Sequence, residues 1–200
     1  MAADPAPFLQ DLRALLEEHA PSGPREILSI RDFRAFLDRA EERGESVRDR
    51  RGFRPGHLTG SALPWSGKTR QVCLVRHPRL LRWLQPGGHV EEGDGRILDT
   101  ALREMREETG LEALPHDPPR FLGVDVHTIP AASGEPAHRH FDVLFLVPCT
   151  KTSLKPSKGT LEAEWFDLEG PFPGSGDTAL GTRLESLRNL AGTIESRTTP

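Results

Sequence analysis

The sequence predicts an α/β sandwich, in which a β-sheet is covered by helices. The prediction rests on two observations. Segments rich in apolar and β-branched residues lie on both sides of one amphipathic helical stretch near the middle of the chain, and a further helical pattern follows the last of them. Strands that flank a central helix, with another helix at the end, are typical of this layered architecture.

Two helices are predicted ahead of the strands. Apolar residues recur at helical spacing over residues 7–19 and again over residues 25–43, and the second pattern ends near Gly44. We expect these amphipathic helices to pack on each other or on the main domain. The charged stretch that follows is predicted to be a connector, so that residues 1–54 form a helical N-terminal extension.

Five strands and two further helices are predicted beyond this extension. The strands are expected at residues 57–65, 70–77, 120–129, 139–149 and 162–169. One helix lies between the second and third strands, and the other is expected over residues 177–190, where leucines recur at helical spacing. Residues 196–200 are predicted to be a disordered tail, which leaves residues 55–195 as the main domain.

Composition and charge limit the class of protein. The formal net charge of −4 over 200 residues gives no sign of nucleic-acid binding. Cys73 and Cys149 lie in predicted strands and match no zinc or redox motif, so they are expected to be buried free thiols in a reducing cytosol. No segment has the features of a signal peptide or the length to span a membrane. We therefore expect a cytoplasmic protein.

A glycine-rich loop and an acidic helix adjoin in the stretch PGGHVEEGDGRILDTALREMREETGL, residues 86–111. Glu104, Glu107 and Glu108 project toward one region, although like charges at this spacing cost roughly a few tenths of a kcal/mol per pair. Such a helix is often only a solvated surface. The glycines, however, let the backbone approach a ligand closely, and carboxylates with a backbone carbonyl are the ligands that Mg²⁺ and Mn²⁺ prefer. Together the loop and the helix predict a metal-diphosphate site.

This stretch resembles the Nudix box, whose pattern is Gly, five residues, Glu, seven residues, then Arg-Glu-apolar-X-Glu-Glu-X-Gly-apolar. Residues 103–111, REMREETGL, match the second half completely. The first half departs from the pattern, because counting from Gly88 the glutamate is replaced by Asp94, and eight residues separate it from Arg103. We expect an Asp94–Arg103 pair to keep the loop geometry. The resemblance, together with the strand order, implies a Nudix-like α/β/α sandwich with a mixed β-sheet.

The resemblance also implies roles for the residues of the box. Glu104, Glu107, Glu108 and the backbone carbonyl of Gly87 would coordinate Mg²⁺ or Mn²⁺. Glu107 or Glu104 would orient or deprotonate the attacking water. Arg103, which is counted with the catalytic residues, is expected to fix the loop rather than to contact the substrate.

Four positions are candidates for roles around this centre. Some family members take an acid from a distant loop as the general base, and Glu162 and Glu164 are the candidates for it, with plain strand-edge residues as the alternative. Arg76, at the end of a predicted strand, and Gly88, in the loop, are expected to face the phosphates of the substrate. A cation at the position of Arg76 would offset charge that develops on a non-bridging oxygen.

Histidines form a second polar pattern. His138 and His140 lie two residues apart, so on a strand they share one face. Zinc binding by this pair would need further ligands, and no other residue shows suitable spacing. The pair is therefore expected to line the substrate site or to be exposed. His89 lies inside the glycine loop and is a weaker candidate for the same site.

The resemblance implies a metal-dependent hydrolase that cleaves a diphosphate linkage in a nucleoside diphosphate joined to another moiety. Three alternatives remain open: a non-catalytic Nudix-fold sensor of a nucleotide or sugar phosphate, an activity like that of isopentenyl diphosphate isomerase, and an acidic helix that is only a solvated surface. The expected partner is a small-molecule nucleoside diphosphate derivative, with no nucleic acid and no membrane. The N-terminal helices are candidates for a lid or a homodimer surface.

Overall fold

A seven-stranded β-sheet forms the centre of the molecule. The structure, a computed structural model, describes residues 6–51, 54–78, 80–132, 134–156, 162–171, 180–185 and 187–188. The helices are α1 (Ala6–Glu18), α2 (Pro24–Arg43) and α3 (Ile97–Thr109), and residues 180–185 and 187–188 are also helical. The strands are β1 (Gly56–Ser66), β2 (Gln71–Arg76), β3 (Trp83–Leu84), β4 (Gly87–His89), β5 (Arg120–Ile129), β6 (His138–Pro148) and β7 (Ala163–Asp167).

The sheet combines parallel and antiparallel pairs. Its main path runs β3-β2-β1-β6-β5, while β4 pairs with β1 and β7 pairs with β2. The long pair of β1 with β6 is parallel, from Gly56 opposite Arg139 to Trp65 opposite Pro148, and the other pairs are antiparallel. This arrangement confirms the predicted mixed sheet. The sequence did not predict β3 and β4, which are only two and three residues long.

Helices cover both faces of the sheet, which confirms the predicted sandwich. One face packs against α1, α2 and α3 in a single apolar cluster, to which Phe8, Phe33, Leu58, Met105 and Phe141 belong. The other face packs against the helical residues near the C-terminus, through Leu63, Leu74, Leu144, Leu180 and Leu184. The N-terminal helices therefore share a core with the sheet, and the Phe36 ring stacks on Phe141 with 3.9 Å between centroids.

Helix α3 begins at Ile97, two residues later than it would with Asp94 as the N-cap. Arg96 occupies the N-cap position, and its backbone N–H donates to Asp99 Oδ2 at 2.9 Å. The Asp94 carboxylate does not cap the helix and instead accepts hydrogen bonds from Glu91 in the loop and from Thr100 and Arg103 of α3. The helix ends at Gly110, whose φ of 73° is the left-handed conformation that glycine adopts without strain. These ends fix which side of α3 faces the loop.

Predictions were also made for the cysteines, the C-terminal region and membrane-spanning segments. Both cysteines are buried free thiols, as predicted, and burial raises the pKa of the Cys149 thiol to about 12. The predicted tail at residues 196–200, and residues 177–179, 186 and 189–190 of the last predicted helix, lie outside the described residues. In the part of the chain that the structure describes, no helix has the length and apolar character needed to cross a membrane.

Candidate active site

The glycine pair of β4 brings the backbone against the acidic side of α3. Gly88 lies opposite Gly60 of β1, and a Cβ added to Gly88 would stand 2.3 Å from Glu104 Oε1. The backbone N–H of Gly87 donates to Glu108 Oε2 at 3.1 Å. Glu104 therefore lies against Gly88, the predicted substrate contact. Glu108 bonds to Gly87, whose carbonyl is a predicted metal ligand. Only glycine at position 88 permits the approach of Glu104.

Arg103 connects the helix to the loop. Its Nη1 donates to Glu104 Oε1 at 2.8 Å, and its Nη2 donates to Asp94 Oδ2 at 3.0 Å and to the carbonyl oxygen of His89 at 2.8 Å. Glu107 Oε1 lies 3.5 Å from the same Nη1. The guanidinium therefore holds the carboxylates of Glu104 and Glu107 on one side and the loop on the other. These contacts join α3 to the loop, and the role of Arg103 in the site remains a prediction.

Asp94 forms the predicted pair with Arg103 and is almost fully enclosed, at 6% exposure. Its Oδ2 also accepts hydrogen bonds from the backbone N–H of Glu91 and the hydroxyl of Thr100, both at 2.9 Å. Burial alone would raise the pKa of this carboxyl, but the bonds from Arg103, Glu91 and Thr100 hold it below its usual range. From the predicted connector, Arg48 Nη2 donates to the carbonyl of Glu91 at 2.7 Å. The loop is thus held by Arg103 of α3 and by Arg48 of the N-terminal connector.

The three glutamates differ in environment. The Glu104 side chain is 16% exposed, and burial raises its pKa, an effect that Arg103 partly offsets. The Glu107 side chain is 52% exposed. Their oxygens fit Mg²⁺ or Mn²⁺ in type, and the Arg103 guanidinium compensates part of the negative charge of Glu104 and Glu107. Among the described residues, however, these glutamates do not form a group whose ligand atoms all lie within 4.8 Å of one another.

The structure brings Arg76 together with Glu162 at the other edge of the sheet. Arg76 ends β2, its Nη1 lies 3.4 Å from Glu162 Oε1, and its backbone N–H donates to the Glu162 carbonyl at 2.8 Å. Glu164 is exposed on β7, opposite Leu74. Within the described ranges, Arg76 forms its ion pair with Glu162 and not with the glutamates of α3. Their roles toward a substrate remain predictions.

Three histidines converge on the sheet, and sequence reasoning found only two of them. His57 of β1 lies in register with His140 of β6, two residues after His138. One potential ligand atom from each of the three lies within 4.8 Å of those of the other two. The sequence showed no further ligand with suitable spacing for the pair, but the parallel pairing of β1 and β6 brings His57 beside it from a distant part of the chain. His138 is buried at 5% exposure, rather than exposed.

Several known proteins are similar to parts of this chain. The NUDIX domain of Shewanella oneidensis NrtR, complexed with ADP ribose, aligns with a TM-score of 0.48 at 20% identity, over 65% of this chain and 87% of that one. An m7GpppN-mRNA hydrolase, NUDT17, from Danio rerio is 32% identical over 125 residues, which are 55% of this chain and 41% of the relative. A probable DHNTP pyrophosphohydrolase from Lactococcus lactis subsp. cremoris is 35% identical over 92 residues, 45% of this chain and 52% of the relative.

The chain thus spans about half the length, or less, of these two curated relatives. The family model described as the NUDIX domain matches residues 57–179. That match covers more than half of the chain and contains the whole loop and helix around Arg103. The chain therefore belongs to the Nudix family.

Proposed function

We propose that this chain is a divalent-metal-dependent hydrolase that cleaves a diphosphate linkage in a nucleoside diphosphate joined to another moiety. The observation that carries the proposal is the contact of two α3 carboxylates with the glycine pair: Glu104 reaches Gly88, and Glu108 accepts the N–H of Gly87. Acidic groups and a close-lying backbone are the arrangement that a metal-diphosphate complex requires. The name of the Lactococcus relative, a probable pyrophosphohydrolase, supports the same class of reaction.

In this proposal, some residues of the chain hold the metal ion and the loop, and one carboxylate accepts a proton. Glu104, Glu107, Glu108 and the Gly87 carbonyl would hold Mg²⁺ or Mn²⁺, and the bound ion would neutralise diphosphate charge and lower the pKa of a water. Arg103 and Asp94 keep β4 and α3 in register with each other. The carboxylate of Glu107 or Glu104 accepts the proton of the attacking water. The missing side chain at Gly88 leaves room for the Glu104 carboxylate against the loop backbone.

The decisive experiment measures hydrolysis of a panel of nucleoside diphosphate derivatives with Mg²⁺ or Mn²⁺. We expect turnover of at least one substrate class, and we expect Glu107→Gln to lower kcat about 100-fold or more, since removal of a positioned acid or base costs this much. Glu112→Gln is a matched control, because Glu112 is exposed and pairs with Arg106 at 2.6 Å outside the loop contacts. Its rate should equal that of the wild type.

Absence of hydrolysis across the panel, with Mn²⁺ affinity unchanged by Glu107→Gln, would overturn the proposal. Binding of a nucleotide or sugar phosphate without turnover would favour the sensor alternative. The isomerase alternative would require Cys73 to face an acid across a substrate. Cys73 is fully buried between β1 and β7 neighbours, which gives that alternative no support.

A further inference from the structure

Five imidazole rings lie together on one side of the sheet, at the ends of four strands. His57 comes from β1, His89 from β4, and His127 from β5, while His138 and His140 come from β6. Ring centroids of His57 lie 4.9 Å from His138 and 4.8 Å from His140, and those of His138 and His140 are 5.2 Å apart. His89 and His127 contact His140 at 5.3 and 5.6 Å.

Strand register holds these rings together. Because β1 and β6 are parallel, His57 and His140 are direct partners, and His138 lies on the same face as His140. His127 of β5 lies opposite His140 on the other side. The rings are therefore fixed by backbone hydrogen bonds of a central sheet rather than by a loop. Sites built on such elements hold their ligands with little rearrangement.

The protonation of the group suits metal binding. His138 Nδ1 lies 2.8 Å from the carbonyl oxygen of Pro136, which can only accept, so Nδ1 carries the proton and a neutral ring keeps a lone pair on Nε2. Neutral imidazole is the form that coordinates metals.

We propose that His57, His138 and His140 bind a zinc ion, at a site separate from the carboxylates of α3. Ligand nitrogens of a tetrahedral zinc site are about 3.3 Å apart, given Zn–N bonds of about 2.0–2.1 Å. The three side chains, whose ligand atoms already lie within 4.8 Å, reach this spacing by small side-chain rotations. The fourth position falls to His89, His127 or a water molecule.

The two sites are expected to bind different metals because their ligand atoms differ. Imidazole suits Zn²⁺, whereas Mg²⁺ prefers carboxylate, carbonyl and water oxygens. The two sites meet at β4, where His89 follows the glycine pair and its carbonyl accepts a bond from Arg103. Zinc would thus link β1 to β6 beside the proposed diphosphate site. The zinc proposal does not depend on hydrolysis, because it rests on the histidines alone.

The test uses the full chain, stripped of metal by a chelator and titrated with Co²⁺ in excess Mg²⁺. We expect one Co²⁺ per chain, with the visible absorption of a four-coordinate nitrogen site, and displacement by Zn²⁺. Competition with a chromophoric chelator then gives the Zn²⁺ affinity. We expect His140→Ala to weaken it at least about 100-fold. His116→Ala is the matched control, because His116 is exposed, and its affinity should be unchanged.

Two further measurements show whether zinc binds to the histidines or to the carboxylates of α3. The double variant Glu104→Gln/Glu107→Gln should keep full Zn²⁺ affinity, so a loss there with retention in His140→Ala would assign the zinc to the carboxylates and overturn the proposal. Imidazole nitrogen NMR signals of the wild type should shift on zinc addition, which needs no variant to fold. A wild-type chain that binds neither Co²⁺ nor Zn²⁺ would also overturn it.

Discussion

At the scale of single residues, Asp94 shows how the loop keeps its shape with a shorter acid than the family pattern has. The Asp94 carboxylate reaches Arg103 because the loop folds back on it, as the 2.9 Å bond from the Glu91 N–H shows. Thr100 of α3 adds a second anchor. One buried carboxylate therefore joins the loop, the helix and the guanidinium, and the charge of Asp94 is what all three partners share.

We predict that Asp94→Asn lowers the free energy of unfolding by about 1–3 kcal/mol. The amide keeps the shape of the side chain but removes the charge that accepts bonds from Arg103, and hydrogen bonds to buried charged groups are worth this much. Urea unfolding measures the change. Asp117→Asn serves as the control, since Asp117 is 43% exposed and pairs with Arg120 on the surface, where such a pair contributes about 0–1 kcal/mol. Equal losses in both variants would contradict the prediction.

Contacts between residues close in the sequence could be predicted, whereas contacts between residues far apart in the sequence could not. The Asp94–Arg103 pair was predictable, because both residues belong to one continuous motif. His57 was not assigned, since its position opposite His140 depends on the parallel pairing of two strands that are distant in the chain. Arg48 was likewise assigned to a connector, although it bonds the carbonyls of the loop. A local pattern carries no information on such partners.

At the scale of elements, β4 is the strand on which the site depends. It is three residues long, and its glycines lie between β1 and α3. Long strands such as β5 and β6 were predicted to within about a residue, because their apolar content is unmistakable over ten or more positions. A three-residue glycine-rich strand has no periodicity to detect. It pairs with residues 59–61 of β1, whereas β2 pairs with β1 at Trp65 and Ser66.

We predict that Gly88→Ala separates metal binding from stability. The added Cβ would stand 2.3 Å from Glu104 Oε1, which is the far end of a flexible side chain. The glutamate must move, so we expect Mn²⁺ affinity to fall about 10-fold or more, while the free energy of unfolding changes by less than about 1 kcal/mol. Titration followed by the EPR signal of free Mn²⁺ measures the affinity.

Gly93→Ala is the matched control for that substitution. Gly93 lies in the same loop, and a Cβ there would meet nothing within 4 Å. Its Mn²⁺ affinity should equal that of the wild type. If both variants bind Mn²⁺ as the wild type does, Glu104 is not a metal ligand, and the assignment of this carboxylate would have to be withdrawn.

At the scale of the whole molecule, the N-terminal helices are tied to the last helical segment across β5. Glu26 at the start of α2 is 4% exposed and accepts a hydrogen bond from Arg183 Nη1 at 2.8 Å. The backbone N–H of Val124 donates to the same carboxylate at 3.2 Å, and His19 lies 2.8 Å from it. The sequence predicted the helices but not this link, which joins residues from three separate parts of the chain. The link joins the N-terminal extension to β5 and to the last helical segment.

The ion pair gives the molecule a specific dependence on acid. Burial disfavours the Glu26 carboxylate, but the bonds from His19, Arg183 and Ser22 outweigh burial and hold its pKa well below the usual value of 4.5. The unfolded chain therefore binds a proton at Glu26 at higher pH than the folded chain does. It follows that this group contributes stability above about pH 4.5 and that the contribution is lost as the pH falls toward the lower, folded-state pKa.

We predict that Glu26→Gln destabilises the protein by about 3–5 kcal/mol near neutral pH, because it leaves Arg183 buried without its charge partner. The deficit should shrink as the pH is lowered to about 3, because the unfolded wild type then binds a proton at Glu26 and the stabilisation from this group decreases. Urea unfolding at both pH values measures it. Glu185→Gln is the control, since Glu185 is exposed on the same helical segment as Arg183, and its small effect should not depend on this pair. A deficit for Glu26→Gln that stays constant with pH would show that the introduced amide destabilises the protein by packing alone, and the electrostatic link between the two ends of the described chain would then be refuted.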